Sequence, residues 1–127
     1  MIAALSSWHD QHEAVGALIE DVRDLPSHAA VEAYSVLTRL PAGLAVEPQA
    51  AADLLARRFP GKRLRLAAAQ SASVVSTLAR AGVGGGATYD GLVALEATAH
   101  GEILVTLDVR AQRTYQRLGV KFRSLSA

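Results

Sequence analysis

Two aspartates in the C-terminal third of the sequence have the type and spacing of metal-binding carboxylates. Asp90 follows Thr88, which is suited to cap a helix, and Gly101 is suited to end that helix. Asp108 follows the apolar run at residues 103–107. A helix of about 11 residues and a strand of about 5 both span roughly 17 Å, so the strand should end level with the helix start. We therefore expect Asp90 and Asp108 at one edge of a parallel sheet, where open α/β folds bind ligands and where carboxylates suit a divalent cation.

Each of these carboxylates also has an ordinary structural interpretation. The helix dipole favours an aspartate such as Asp90 in a first helical turn, and an aspartate after a strand, such as Asp108, is a common turn residue or N-cap. Glu32 follows the first turn of a helix expected to begin after Ser27. It could point at the same sheet edge, or lie in solvent as most glutamates do. The metal hypothesis depends on the three side chains sharing that edge.

Alternating helices and strands predict a three-layer α/β domain with a mainly parallel central sheet. Residues 25–27 form a turn or a very short strand, and Ser27 caps the next helix. Val74, Val75 and Leu78 are expected to face inward from their helix. The predicted helices cover residues 8–22, 27–40, 48–59, 71–81, 89–100 and 110–118, and the predicted strands cover residues 63–67, 103–107 and 120–125.

Composition indicates a single domain over residues 1–127. Half of the residues are hydrophobic but only 5% are aromatic, so alanine, leucine and valine must fill the core. The absence of cysteine excludes disulfides, thiolate metal ligands and a cysteine nucleophile, and fits a reducing cytosol. Apolar runs are too short for a membrane span, and the N-terminus lacks the pattern of a signal peptide. A cytoplasmic protein without membrane contact is expected.

Charge is divided unevenly along the chain, although the net charge is only +1. Residues 1–53 are acidic and residues 54–127 are basic. Two basic clusters, at residues 57–65 and 110–123, could contact phosphates or form a solvated arginine-rich surface.

The segment GGGATYDGLVALEATAHGEILVTLDVRAQRTYQRLGVKF resembles the C-terminal half of a PIN domain, in particular that of VapC-type toxins from bacterial toxin–antitoxin pairs. The shared pattern is a glycine-rich turn, a YDALIA-like helix start, an apolar strand with an LLT-like ending, Asp, Arg and a short helix. The segment AAVEAYSVLTRL is similar to the helix that carries the family's glutamate. Glu32, Thr88, Asp90 and Asp108 follow one another in the family's order.

This resemblance implies an endoribonuclease that depends on Mg²⁺ or Mn²⁺ and cleaves RNA phosphodiester bonds. Glu32, Asp90 and Asp108 would be the catalytic acids and metal ligands, and Thr88 would help to hold water or metal. Basic residues of the second half would position the RNA backbone. The resemblance also implies a VapB-like antitoxin as a partner and a homodimeric state.

The N-terminus departs from the PIN pattern, which opens with a central strand ending in an aspartate. Met1–Leu5 matches only the segment after that aspartate, and no acid precedes Asp10. We expect that translation begins upstream. Two alternatives are a truncated PIN-like domain that completes its sheet with a partner's strand, and a catalytically impaired or inactive module that binds an antitoxin or nucleic acid.

Overall fold

The computed structural model describes residues 22–106 and 108–124, which contain four short strands and six helices. The helix predicted over residues 8–22 lies outside these ranges except for its last residue, and so does the stretch Met1–Leu5. In chain order the elements are β1 (Leu25–Pro26), α1 (Ser27–Thr38), α2 (Pro48–Arg58), β2 (Arg63–Leu64), α3 (Ala68–Ala72), α4 (Val74–Arg80), α5 (Ala87–Ala99), β3 (Leu104–Thr106), α6 (Val109–Leu118) and β4 (Phe122–Ser124).

The strands form two parallel pairs. β1 lies beside β2, with Leu25 opposite Arg63, and β3 lies beside β4, with Leu104 opposite Phe122. Helices connect the paired strands, which confirms the α/β class with parallel pairing. β2 is shorter than the predicted strand 63–67, because α1 begins at Ser27 and β1 offers only two positions for pairing.

The core lies between the strands and the helices α1, α2, α5 and α6. Alanine, leucine and valine fill most of it, as the composition predicts. Phe59 and Tyr115 are the large aromatic residues that are buried with them. The cluster consists of Leu25, Ala29, Ala33, Leu37, Ala51, Leu55, Phe59, Val93, Ala94, Ala97, Leu104, Val105, Ala111, Tyr115 and Val120.

Gly91 brings α5 into close contact with the segment before it. A Cβ atom built on Gly91 would lie 2.6 Å from Leu78 Cδ2 and 3.3 Å from Val83 Cγ1. Only glycine therefore fits here without displacing its neighbours. Because Gly91 directly follows Asp90, this contact fixes the position of the helix turn that carries the aspartate.

Two of the predicted helix caps are wrong. Ser27 is the first residue of α1, whose N-cap is Pro26, and no side chain of α1 caps that end. Thr88 lies inside the first turn of α5, whose N-cap is Gly86. In both cases the chain enters helical geometry one or two residues earlier than the hydroxyl side chain indicated. Elsewhere the local signals hold, since Pro48 begins α2 and Gly119, with φ of 67°, ends α6.

The helix predicted over residues 71–81 is divided into α3 and α4. Ser73 lies at the junction and donates its hydroxyl to the Gln70 carbonyl at 3.1 Å, a local bond that competes with helix continuation. The inward face consequently differs from the prediction: Leu78 is buried, but Val75 is 79% exposed. None of the described helices has the length and apolar character needed to cross a bilayer.

Candidate active site

Asp108 lies directly beyond the β3 end and caps α6. Its Oδ1 accepts hydrogen bonds from the backbone N–H groups of Arg110 at 2.9 Å and Ala111 at 3.3 Å. Its own N–H donates to Thr106 Oγ1 at 3.0 Å. The structural interpretation of Asp108 as an N-cap is therefore confirmed. Both capping bonds are accepted by Oδ1.

Asp90 lies in the first turn of α5, as predicted, and is half-buried. Burial raises the pKa of the Asp90 carboxyl above its ordinary value, and the charges of Asp108 and Glu32 raise it further. A carboxylate affects another's protonation in this way only at short range or through a shielded environment. The charges of Asp108 and Glu32 therefore act on Asp90, and a shared site for the three acids stays a prediction.

Glu32, in the second turn of α1, has a buried oxygen. Its Oε1 lies 2.8 Å from His28 Nε2, one helical turn earlier. Apart from this contact, Oε1 accepts no hydrogen bond within the described part of the chain. An imidazole that carries its proton on Nε2 donates to this oxygen and satisfies it.

The three carboxylates do not form a ready-made cage for an ion. Within residues 22–106 and 108–124, no three acidic, histidine or cysteine side chains are clustered tightly enough to hold a metal. Three negative charges repel one another and stay apart unless a counter-charge draws them together. The donors nevertheless suit Mg²⁺ or Mn²⁺, since both prefer carboxylate oxygens. The assignment of Glu32, Asp90 and Asp108 as ligands stays a prediction.

Tyr115 on α6 is a buried neighbour of the acids that the sequence did not reveal. Burial, and next the charge of Asp90, raise the pKa of its hydroxyl well above the ordinary range. A hydrogen bond with the Thr106 side chain lowers this pKa, whereas the charges of Asp108 and Glu32 raise it further. The hydroxyl consequently stays protonated beside the carboxylates. Its only sequence signal was a lone aromatic residue in an otherwise polar helix.

Two ribonucleases of Mycobacterium tuberculosis are similar to the chain over nearly its whole length. Ribonuclease VapC40, from strains CDC 1551 / Oshkosh and ATCC 25618 / H37Rv, is 42% identical over 121 residues, which cover 95% of this chain and 90% of that protein. Ribonuclease VapC27, from strain ATCC 25618 / H37Rv, is 42% identical over 118 residues, which cover 93% of this chain and 79% of that protein. The chain belongs to the VapC family of PIN-domain ribonucleases.

Membership of the VapC family confirms the resemblance found in residues 29–40 and 84–122, and with it the PIN-like α/β fold. No family model and no solved structure matches the chain. Thr88, the remaining predicted site residue, is half-buried, and its N–H donates to the Gly85 carbonyl at 3.1 Å. Its role in holding water or metal in this VapC protein stays a prediction.

Glu96 connects the two helices that carry predicted ligands of the VapC site. Its side chain is almost fully buried on α5, and its Oε1 accepts a hydrogen bond from the His28 backbone N–H at 2.9 Å. Burial raises the pKa of the Glu96 carboxyl, and the bond from His28 partly offsets this. Sequence reasoning missed Glu96, although a glutamate inside the apolar run LVALEATA was a visible signal.

Proposed function

We propose that the chain is a VapC-type toxin, an endoribonuclease that cleaves RNA phosphodiester bonds with the help of Mg²⁺ or Mn²⁺. The observation that carries the proposal is a half-buried carboxylate, Asp90, whose pKa is raised first by burial and then by the charges of Asp108 and Glu32. A protein retains such an arrangement when a cation relieves it. The extended similarity to proteins named ribonuclease supplies the reaction type.

Four side chains of the protein would position the cation and the water. Glu32, Asp90 and Asp108 would hold the cation through their oxygens, and Thr88 would orient water beside Asp90. When bound, the cation supplies activation of water and stabilisation of the negative charge that develops on the phosphodiester. Tyr115 keeps its proton at neutral pH, so it can donate a hydrogen bond but cannot add a further negative charge to the cluster.

A row of arginines on α6 would position the RNA backbone. Arg110 and Arg113 are exposed and lie at helical spacing at the end of α6 that Asp108 caps. Their charges would neutralise phosphates near the carboxylates. By contrast, Arg117 in the last turn of α6 donates to the Gly82 carbonyl at 3.0 Å, and Arg63 from the other basic cluster donates to the Phe59 carbonyl at 2.9 Å; these contacts favour structural roles.

The proposal includes a VapB-like antitoxin that neutralises the nuclease, and a homodimeric state. Membership of the VapC family supports both. Size-exclusion chromatography of the chain, alone and with the antitoxin, measures both states. A chain that elutes as a monomer when alone would contradict the homodimer. A chain that elutes separately from the added antitoxin would contradict the antitoxin partner.

An RNA cleavage assay with purified protein tests the catalytic proposal. Wild type should cleave RNA only when Mn²⁺ or Mg²⁺ is added, and EDTA should abolish cleavage. Asp90→Asn and Asp108→Asn should each reduce the rate by at least about 100-fold, since even outer-shell partners of a metal contribute about 10- to 100-fold. Equal cleavage by all three proteins would exclude these residues as ligands.

One observation favours a second function, that of a catalytically inactive PIN-like module that binds an antitoxin or nucleic acid. The described residues contain no preformed three-ligand cage. For such a module, RNA or antitoxin binding should persist while no divalent cation supports cleavage. Metal-dependent cleavage that is lost in Asp108→Asn would exclude this alternative.

A further inference from the structure

The side chains of His28 and Tyr89 form a stacked pair at the start of two helices. Their ring centroids lie 5.2 Å apart and the ring planes differ by only 5°. His28 belongs to the first turn of α1 and Tyr89 to the first turn of α5. One ring face of Tyr89 is therefore covered by the imidazole, yet the residue remains 56% exposed.

The stack is adjacent to the predicted ligands. Tyr89 immediately precedes Asp90, and His28 Nε2 lies 2.8 Å from Glu32 Oε1. The contact with Glu32 and the position of His28 within α1 restrict the imidazole, so it forms a fixed support behind the tyrosine ring. A flat, half-exposed aromatic surface thus lies directly next to the carboxylates.

Packing alone does not account for this arrangement. The aromatic pair Tyr115 and Phe122 shows what a packing contact looks like in this chain: its centroids are 5.5 Å apart at 56°, and Tyr115 is 3% exposed. Such a pair gains free energy because both rings leave water. Tyr89 instead keeps an apolar ring face in water beside the candidate active site, where a ligand can cover it.

We propose that Tyr89, supported by His28, stacks an unpaired nucleobase next to the scissile phosphate of the RNA substrate. This inference rests on the proposed ribonuclease function and deepens it by assigning the residue on which a base next to the cleaved bond stacks. Bases within an A-form duplex are already stacked and paired, so they cannot lie on a protein ring. Stacking tolerates any base, because every base has a π-face.

Charge complementarity favours RNA over a protein as the occupant. The exposed Arg110 and Arg113 lie on α6, which begins at Asp108 beside the same carboxylates. A polyanion bound along these arginines would run towards Asp108, and the proposal places one of its bases on Tyr89. An aromatic side chain of an antitoxin would fill the ring face without using the arginines.

Binding of a short single-stranded RNA with an internal 2-aminopurine tests the inference. Measurements in EDTA prevent cleavage, and fluorescence anisotropy gives the affinity while 2-aminopurine emission reports stacking. Wild type and Tyr89→Phe should bind with quenched emission. Tyr89→Leu should bind about tenfold more weakly or worse and lose the quenching, as expected for the loss of one stacked base. Tyr34→Leu is the matched control, because Tyr34 is an exposed tyrosine on α1 outside the stack.

Three outcomes would overturn the inference: equal binding by wild type and Tyr89→Leu, an equal loss in Tyr34→Leu, or equal affinity for single-stranded and duplex RNA. Loss of antitoxin binding alone in Tyr89→Leu would assign the ring to a protein partner and overturn it too. Tyr89-dependent quenching in a protein that shows no metal-dependent cleavage would support the stacking site while the ribonuclease proposal fails. In an active protein, Tyr89→Leu should raise KM more than it lowers kcat.

Discussion

The Glu96 carboxylate on α5 accepts a hydrogen bond from the backbone N–H of His28, 68 positions earlier in the chain, at 2.9 Å. Pro26, the N-cap of α1, has no side-chain acceptor for the helix's first N–H groups. Glu96 supplies one from another helix. The α1 end that leads to Glu32 is thereby fixed to the helix that begins with Asp90.

We predict that Glu96→Ala destabilises the protein and also weakens its binding of Mn²⁺. The substitution leaves a partly buried His28 N–H without its acceptor, which costs about 1–3 kcal/mol of unfolding free energy. The shift of α1 relative to α5 should weaken Mn²⁺ binding, measured by calorimetry. Glu96→Gln keeps an acceptor and should recover much of both properties.

Glu47→Ala is the control for Glu96. Glu47 caps α2 through bonds from the Gln49 and Ala50 N–H groups, both at 3.1 Å, and α2 carries none of the predicted ligands. Its loss should cost about 1 kcal/mol and leave metal affinity unchanged. If both alanine variants lose stability but neither loses Mn²⁺ affinity, Glu96 has only a structural role.

Asp90→Asn should raise the melting temperature of the metal-free protein at neutral pH. Burial and two like charges raise the pKa of Asp90, so its ionised form is less stable in the folded chain than in the unfolded one. Asparagine has the same shape without the charge. Addition of Mn²⁺ should reverse the order: at 100 times the dissociation constant it adds about 2.7 kcal/mol to wild type and little to the variant. A lower melting temperature for metal-free Asp90→Asn would contradict the repulsion.

As pH falls, Mn²⁺ affinity should begin to decline at a higher pH than it would if Asp90 had the pKa of an ordinary aspartate. A raised pKa means that Asp90 takes up a proton at a higher pH, and the proton then competes with the metal. The stability of the metal-free fold depends on pH in the opposite direction. The stabilisation from protonated Asp90 is complete below the unfolded-state pKa and is lost as pH rises through the folded-state pKa. Calorimetric titrations of wild type over a pH series should show Mn²⁺ affinity declining above the pH range in which an ordinary aspartate takes up a proton; a decline confined to the ordinary range would rule out Asp90 as its source.

Gly91→Ala should cost about 1–3 kcal/mol, since its methyl group would lie 2.6 Å from Leu78 Cδ2. The displacement of α5 should also reduce metal binding at Asp90. Combining Gly91→Ala with Leu78→Ala should recover part of the loss, which denaturant unfolding of the four proteins in the cycle can measure. Gly84→Ala, with open space around the built Cβ, is the matched control and should change stability little. If the effects of Gly91→Ala and Leu78→Ala on the unfolding free energy are additive, the Leu78 side chain is not what the new methyl group displaces.

Features that depend on neighbouring residues could be predicted from the sequence. Pro48 and Gly119 mark helix ends because proline and glycine restrict or permit particular backbone angles regardless of the rest of the fold. The placement of Asp90 in the first turn of α5 and of Asp108 as a cap after a strand also followed from local patterns. These predictions needed no knowledge of distant contacts.

Features that depend on distant contacts could not be predicted. Thr88 and Ser27 have side chains suited to capping, but Gly86 and Pro26 had already set the helix start. The acceptor for α1 comes from Glu96, and no local pattern links the two positions. Tyr115 lies among the acids because α6 packs against α5, a tertiary relationship that the spacing of residues within α6 does not encode.

α5 carries Asp90, Gly91 and Glu96 within two helical turns, and each makes contact with a different part of the protein. An insertion or deletion of one residue between Asp90 and Glu96 would rotate one end of the helix by about 100° relative to the other. Either the carboxylate would leave the acid cluster or α1 would lose its anchor. Natural length variation can therefore be accommodated at Gly84–Gly86, where the built Cβ atoms meet open space, but not between Asp90 and Glu96.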